Sequence, residues 1–325
     1  MRVWAAVGGF AAALGPLVGG LLVAASWRWI FLVNVPIGLL ALLVGWIKLP
    51  RVAGHDVAAP YVWAAALITA GIATLTFGIV KLNDWGWHDS RVQLSFAAAA
   101  VMLGVFVIHC LRSDNPFIDP ALFRIRDFTR ATLTMAPFST AFGGFLLSLV
   151  LWEESVWHWD AMTIGLAIAP GPFMVPVTSL LLAGRLIKRF GSAAVVVAGL
   201  VTFAAGVIVW AQLAGPHPDL GFAILCTIPS GIGVGLTLPT LMGFASSALP
   251  ASSFATGSGV INMVRQIGFA VGVAVFVAII GAPASVEARM AAFRLAWWVM
   301  SAITATGLVP LLLMRRRDRR SRSAV

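Results

Sequence analysis

The chain has 325 residues, of which 60% are hydrophobic and 10% charged, and it carries a net charge of +10. Soluble domains carry about 25% charged residues, so these residues cannot supply a water-facing shell, and most of the outer surface must face lipid. The basic residues sit in short clusters between apolar runs, which reads as control of membrane topology and argues against a nucleic-acid partner.

In chain order, ten apolar segments stand out, at about 3–25, 30–50, 61–80, 92–111, 131–152, 161–183, 192–213, 220–242, 257–281 and 291–314. Each is long enough to cross roughly 30 Å of hydrocarbon as a helix. Lipid offers no partner to a free backbone amide, so spans must be helices or a closed barrel, and the alternating ten-residue strands of a barrel are absent. The expected fold is all-α: a polytopic membrane helical bundle with about ten transmembrane helices. The first run, starting almost at Met1, is too long for the apolar core of a signal peptide and has the length of a span.

With both termini inside, the inner positions hold Arg2, Lys48, Arg51, Arg112, Arg124, Arg126, Arg130, Arg185, Lys188, Arg189 and the basic tail from Arg315 to Arg322. The opposite side holds only Arg28, Lys81, Arg91, Arg289 and Arg294. That asymmetry assigns the inner side. Ten of the 13 tryptophans, among them Trp152, Trp157, Trp210 and Trp297, fall near the outer span ends; Trp4, Trp46 and Trp63 fall near the inner ends. The tail after residue 314 reads as a cytoplasmic anchor attracted to anionic lipid.

The first span ends in Gly15-Pro16-Leu17-Val18-Gly19-Gly20. Gly15 and Gly19, four apart, allow a neighbouring helix to approach closely, and Pro16 bends the helix. Ordinary small-residue packing explains the same spacing. Glu153 and Glu154 close the fifth segment. They are candidates for binding a proton or cation, set against a solvated outer loop running to Asp160, the reading spacing favours. Arg265 lies about eight residues into its span, roughly 12 Å deep, where an arginine costs about 2.5–3.5 kcal/mol on insertion scales. It reads either as a gate facing the bundle interior or as a side chain reaching the headgroups. Pro170, Pro172 and Pro176 interrupt one span and Pro229 and Pro239 another, as in helices that line transport cavities. His109, Cys110 and Cys226 read as packing residues. No phosphate-binding loop or paired-histidine motif occurs, so neither ATP drive nor a metal is expected, and no cofactor is implied.

The stretch from Ala11 to Gly38, through Gly15-Pro-x-x-Gly-Gly20 and Trp27-Arg-Trp-Ile-Phe-Leu-Val-Asn-Val-Pro-Ile-Gly, resembles the fifth and sixth spans of the major facilitator superfamily. More narrowly it resembles the fourteen-span drug:proton antiporters, the EmrB/QacA-like branch, in which Gly-Pro-x-x-Gly-Gly is the antiporter motif; Ala11 stands where that pattern has a further glycine. Thr256 to Gly272, with Arg265-Gln266 followed by Gly268 and Gly272, resembles the thirteenth span, and Gly231, Gly233, Gly235 and Pro239 the twelfth. Ala183-Gly184-Arg185-Leu-Ile-Lys188-Arg189-Phe-Gly191 resembles the inner-loop motif, with Lys188 where the family has an acid.

The resemblance implies a major facilitator bundle lacking its first four spans. Residues 1–50 would be the last two spans of the N-terminal bundle and 51–112 two linker spans. Residues 113–130 would form a cytoplasmic loop, 131–314 a six-span C-terminal bundle and 315–325 a tail. It implies a transporter of the cytoplasmic membrane and no enzyme, exporting small organic compounds or drugs against protons. Gly15, Pro16, Gly19 and Gly20 would form the antiporter motif. Arg265 and Gln266 would be intramembrane polar contacts, and Gly184, Arg185, Arg189 and Gly191 the inner loop. Two alternatives stay open: a truncated remnant without transport of its own, and a membrane-embedded lipid-modifying enzyme. The enzyme requires acids or histidines converging at one membrane face, and none can be assembled.

Overall fold

The computed structural model describes residues 15, 18–23, 25–48, 61–250, 253–283 and 285–312. Pro16, most of the first expected span, residues 49–60 and the basic tail lie outside the described residues. Among the described residues the regular structure is helical, and nine helices have the length and apolarity of membrane spans. They are α1 (Trp29–Lys48), α2 (Val62–Trp85), α3 (Ser90–Arg112), α4 (Arg126–Ser155), α5 (Ala161–Phe190), α6 (Ser192–Leu213), α7 (Leu220–Ser247), α8 (Phe254–Ile280) and α9 (Val286–Leu312).

The expected spans and the observed helices coincide in order, and the differences lie at their ends. α4 begins at Arg126, five residues before the apolar run, because polar residues continue the helix beyond the lipid-facing stretch: Arg130 pairs with Asp127 at 2.9 Å on the first turns. Before it, Asp119 accepts from the backbone N–H of Ala121 and caps a short 3-10 turn, Pro120–Arg124. α5 is a broken rod. Pro170 and Pro176 remove backbone donors, and Ser179–Ala183 widens into a π turn before Gly184–Phe190. Gly191, at φ +84°, lets α6 follow after one residue.

Helices α4 to α9 form one bundle. α8 lies along α4, α7 lies between α6 and the middle of α5, and α9 closes against α6 and α4. The α2–α3 hairpin docks on the bundle through α2 and α8. No residue of α1 from Asn34 to Lys48 is buried. The core is a column of rings and long side chains: Phe128, Phe138, Phe145, Phe203, Phe276, Phe293, Trp152, Trp210, Trp297 and Met300 are all essentially without exposure.

In lipid, apolar contact between helices drives little association, so close backbone approach has to do that work. The sequence places glycine where helices meet. A Cβ on Gly268 would sit 2.7 Å from Cβ of Ser139, and one on Gly272 would collide with the Thr140 carbonyl oxygen. Gly143 returns the contact, 2.7 Å from the carbonyl oxygen of Phe269. Between α6 and α7, Gly206 and Gly233 abut the backbone of Ser230 and Phe203; between α5 and α7, Gly235 meets Val175 and Gly231 meets Gly171. The register along α4 and α8 is parallel, with Gly257 beside Phe128 and Gly272 beside Thr140.

Candidate functional site

The sequence-predicted residues fall into four separate places. At the first span, a Cβ on Gly15 or Gly19 would meet no described atom within 4 Å, whereas one on Gly20 would lie 2.7 Å from the Ala161 carbonyl oxygen. The close approach therefore occurs at Gly20, against the first turn of α5. Asp160 caps that turn by accepting from the Thr163 backbone N–H at 3.2 Å. Hydrogen bonds from the side chain and then the backbone of Thr163 hold the Asp160 carboxyl below the usual carboxylate range.

Arg265 is the second place. α8 starts at Phe254 and has 27 residues, so Arg265 is near its midpoint, about 16 Å from its start at 1.5 Å per residue. Gly257, Ile261, Gly268 and Gly272 lie on the same helical stripe and are buried against α4, and Arg265 falls between Ile261 and Gly268. The residue is half-buried, and its Nε is enclosed without a hydrogen-bond partner. Ser258, two turns earlier on that side, also has an enclosed, unpartnered hydroxyl. Gln266 is exposed, in line with Gly259 and Asn262. At the middle of α8, Arg265 thus keeps one enclosed donor, its Nε, without a partner among the described residues.

The inner-loop motif is the third place. Arg185 donates to the Leu181 carbonyl at 3.0 Å, and Arg189 lies 5.2 Å from the Phe190 ring centroid. Gly191 makes the turn, and a Cβ on Gly184 would meet no described atom within 4 Å. Among the described residues, no hydrogen bond or ion pair joins this loop to Arg265 or to Gly20.

The acidic pair corrects the expectation of a solvated loop. α4 runs on to Ser155, so both acids lie within its last turn. Glu154 is exposed, but Glu153 has 0% exposure, and neither of its carboxyl oxygens has a hydrogen-bond partner. Around this end, the Trp152 ring lies 5.1 Å from that of Trp297, tilted, and 5.2 Å from that of Phe293, edge to face, and Trp157 lies 5.9 Å from Trp210. The indole N–H groups of Trp152 and Trp210 are also enclosed and unpartnered. Helical spacing held the signal for this burial: Phe138, Phe142, Phe145, Leu149 and Glu153 follow one another by three or four residues. Sequence reasoning also passed over Thr178, Thr237 and Thr240, whose hydroxyls are enclosed without partners on α5 and α7.

The comparisons with known proteins agree with this architecture. A family model described as Major Facilitator Superfamily matches residues 1–273 and again 131–325. The Multidrug resistance protein B homolog of Mycobacterium tuberculosis (strain ATCC 25618 / H37Rv) is 31% identical over 269 residues, covering 80% of this chain and 49% of that protein. The Probable actinorhodin transporter of Streptomyces coelicolor is 31% identical over 281 residues, covering 82% of this chain and 48% of that protein. The Tetracenomycin C resistance and export protein of Streptomyces glaucescens is 28% identical over 278 residues, covering 84% and 51%. The chain thus spans about half the length of the curated relatives it matches. With its glycine-seamed helices and a family match that reaches both ends, this chain is a multi-pass membrane protein belonging to the major facilitator superfamily.

Proposed function

We propose that the chain is part of a secondary transporter of the cytoplasmic membrane that exports small organic compounds against proton entry. The carrying observation is the combination of a bundle whose seams are closed by glycine with a half-buried arginine at mid-span whose donor is unsatisfied. Relatives named for multidrug resistance and for antibiotic export support the substrate class. The arginine-rich end faces the cytoplasm with both termini, under the positive-inside rule.

In this reading α4 to α9 move as one body, because glycine seams leave no slack for helices to slide within it. The rocking surface includes Gly15, Pro16, Gly19 and Gly20 against α5. Arg265 and Gln266 alternate partners as the bundle tilts, and Gly184, Arg185, Arg189 and Gly191 form the turn at the cytoplasmic end. Substrate binds between bundles near the midplane.

The test is efflux of a fluorescent cationic dye from cells or its uptake into everted vesicles, with and without an imposed pH gradient. Gradient-dependent transport lost in Arg265→Ala supports the reading; transport indifferent to an uncoupler refutes proton drive. A second reading is that this chain transports only together with further spans. It is favoured by Asn34–Lys48, an apolar helix with no buried residue. Reconstitution of the chain alone separates the two.

A further inference from the structure

We propose that Glu153 is a proton-binding site that links protonation to closure of the tryptophan-rich end of the bundle: closed, the carboxyl holds a proton; open, it releases it to water. The inference is independent of what the protein transports.

Its basis is geometric. None of Glu153 is open to a water-sized sphere, and both carboxyl oxygens lack a donor. An ionised carboxylate enclosed in this way would be an uncompensated buried charge, whereas the neutral acid carries no such cost. A metal cation would need several oxygen ligands, and among the described residues no group of three or more His, Cys, Asp or Glu side chains could hold one. A recess of about 450 Å³ beside Trp157 is lined from the α6–α7 loop and does not reach Glu153. The proton is the one cation that fits.

Of the charged and titratable groups at this end, four are engaged elsewhere. On its own helix and the loop beyond are Glu154, His158 and Asp160; between α6 and α7 are His217 and Asp219; on α9 are Glu287, Arg289 and Arg294. Arg289 donates to the Ser155 carbonyl at 3.1 Å and Arg294 to the Ala214 carbonyl at 3.4 Å. Asp160 and Asp219 cap helices. Among the described residues no ion pair reaches Glu153.

The loop after α4 is built as a latch over this end. The backbone N–H of Trp159 donates to the carbonyl of Glu153 itself at 3.0 Å, and Trp157 donates its indole N–H to the Gly215 carbonyl at 2.9 Å. Between them His158 is held at φ +56°, in the left-handed region that few non-glycine residues occupy. Releasing these few bonds uncovers Glu153 and gives the unpartnered Trp152 and Trp210 donors access to water.

Two measurements on the purified full chain test this. The infrared C=O stretch of a protonated carboxylic acid should be present near neutral pH, lost in Glu153→Gln and retained in Glu154→Gln. With the native cysteines replaced by serine, Val156→Cys reports opening. Its labelling rate, scaled to a free thiol at each pH, should rise by up to tenfold per pH unit, the limit for one linked proton. Adding Glu153→Gln should abolish that dependence. A band that survives Glu153→Gln, or labelling whose pH dependence is unchanged by it, overturns the proposal. If Glu153→Gln does not fold, Glu153→Asp decides: the band must move, and an unmoved band is equally fatal.

Discussion

The indole N–H of Trp297 on α9 donates to the hydroxyl of Ser148 on α4 at 2.7 Å, with both residues buried. This bond ties two helices 149 residues apart in sequence, at the level where the aromatic column turns from phenylalanines to tryptophans. Ser148 in turn donates to the Phe145 carbonyl at 2.6 Å, so the pair is anchored to the α4 backbone. Ser148→Ala leaves the indole donor enclosed and unpaired. Hydrogen bonds between membrane helices average about 0.6 kcal/mol and reach about 1.7, and the buried setting places this one toward the upper value. Denaturant unfolding in mixed micelles should show a loss of about 1 kcal/mol, and Trp297→Phe should add little in the double variant.

The α4–α8 seam gives a contrast within one helix. Gly272→Ala drives a methyl into the Thr140 carbonyl oxygen, a backbone atom held by its own helix. Overpacking of that kind costs about 1–3 kcal/mol. Gly259→Ala, on the same helix, meets no described atom within 4 Å. It should stabilise by about 0.4–1 kcal/mol through the unfolded chain. Equal effects from the two substitutions would refute the seam.

At the first span the structure separates glycines that look alike in sequence. Gly20→Ala meets the Ala161 carbonyl at 2.7 Å, while Gly19→Ala meets nothing described within 4 Å. If rocking occurs across this contact, Gly20→Ala reduces dye transport several-fold at unchanged expression and Gly19→Ala does not. A larger loss at Gly19 would move the interface elsewhere.

Asp160 carries a pH signature of known sign. Its carboxyl in the folded protein sits below the ordinary value of 3.8 because Thr163 donates to the ionised form. Its stabilising effect is therefore present above that value and fades as pH falls through the lower folded one. Wild type and Asp160→Asn should differ in thermal midpoint near neutral pH and converge in strong acid. A gap that widens on acidification would reverse the assignment.

Much of the architecture was legible from composition and period. Lipid requires helices and charges avoid hydrocarbon, so apolar runs alone located Ser192–Leu213 to the residue. They misplaced the ends of α4 and α8 because a helix does not stop where hydrophobicity does; its backbone bonds continue through Arg126 and Asp127 at one end and Glu153 at the other. For the acidic pair, spacing favours a solvated loop from Glu153 to Asp160, whereas the helix continues past them and the stripe from Phe138 onward carries Glu153 inward and leaves Glu154 exposed.

By itself, then, the sequence determined that the chain threads a membrane as helices, which end carries the arginines, and where glycine permits contact. Those are properties of single residues and of their spacing along one helix. Only the tertiary structure decided which glycines are used, that Gly20 and not Gly15 or Gly19 meets α5, and that of two adjacent acids one faces out while the other is sealed in. Residues one apart on a helix point about 100° apart, and which direction is interior depends on neighbours that arrive from distant parts of the chain.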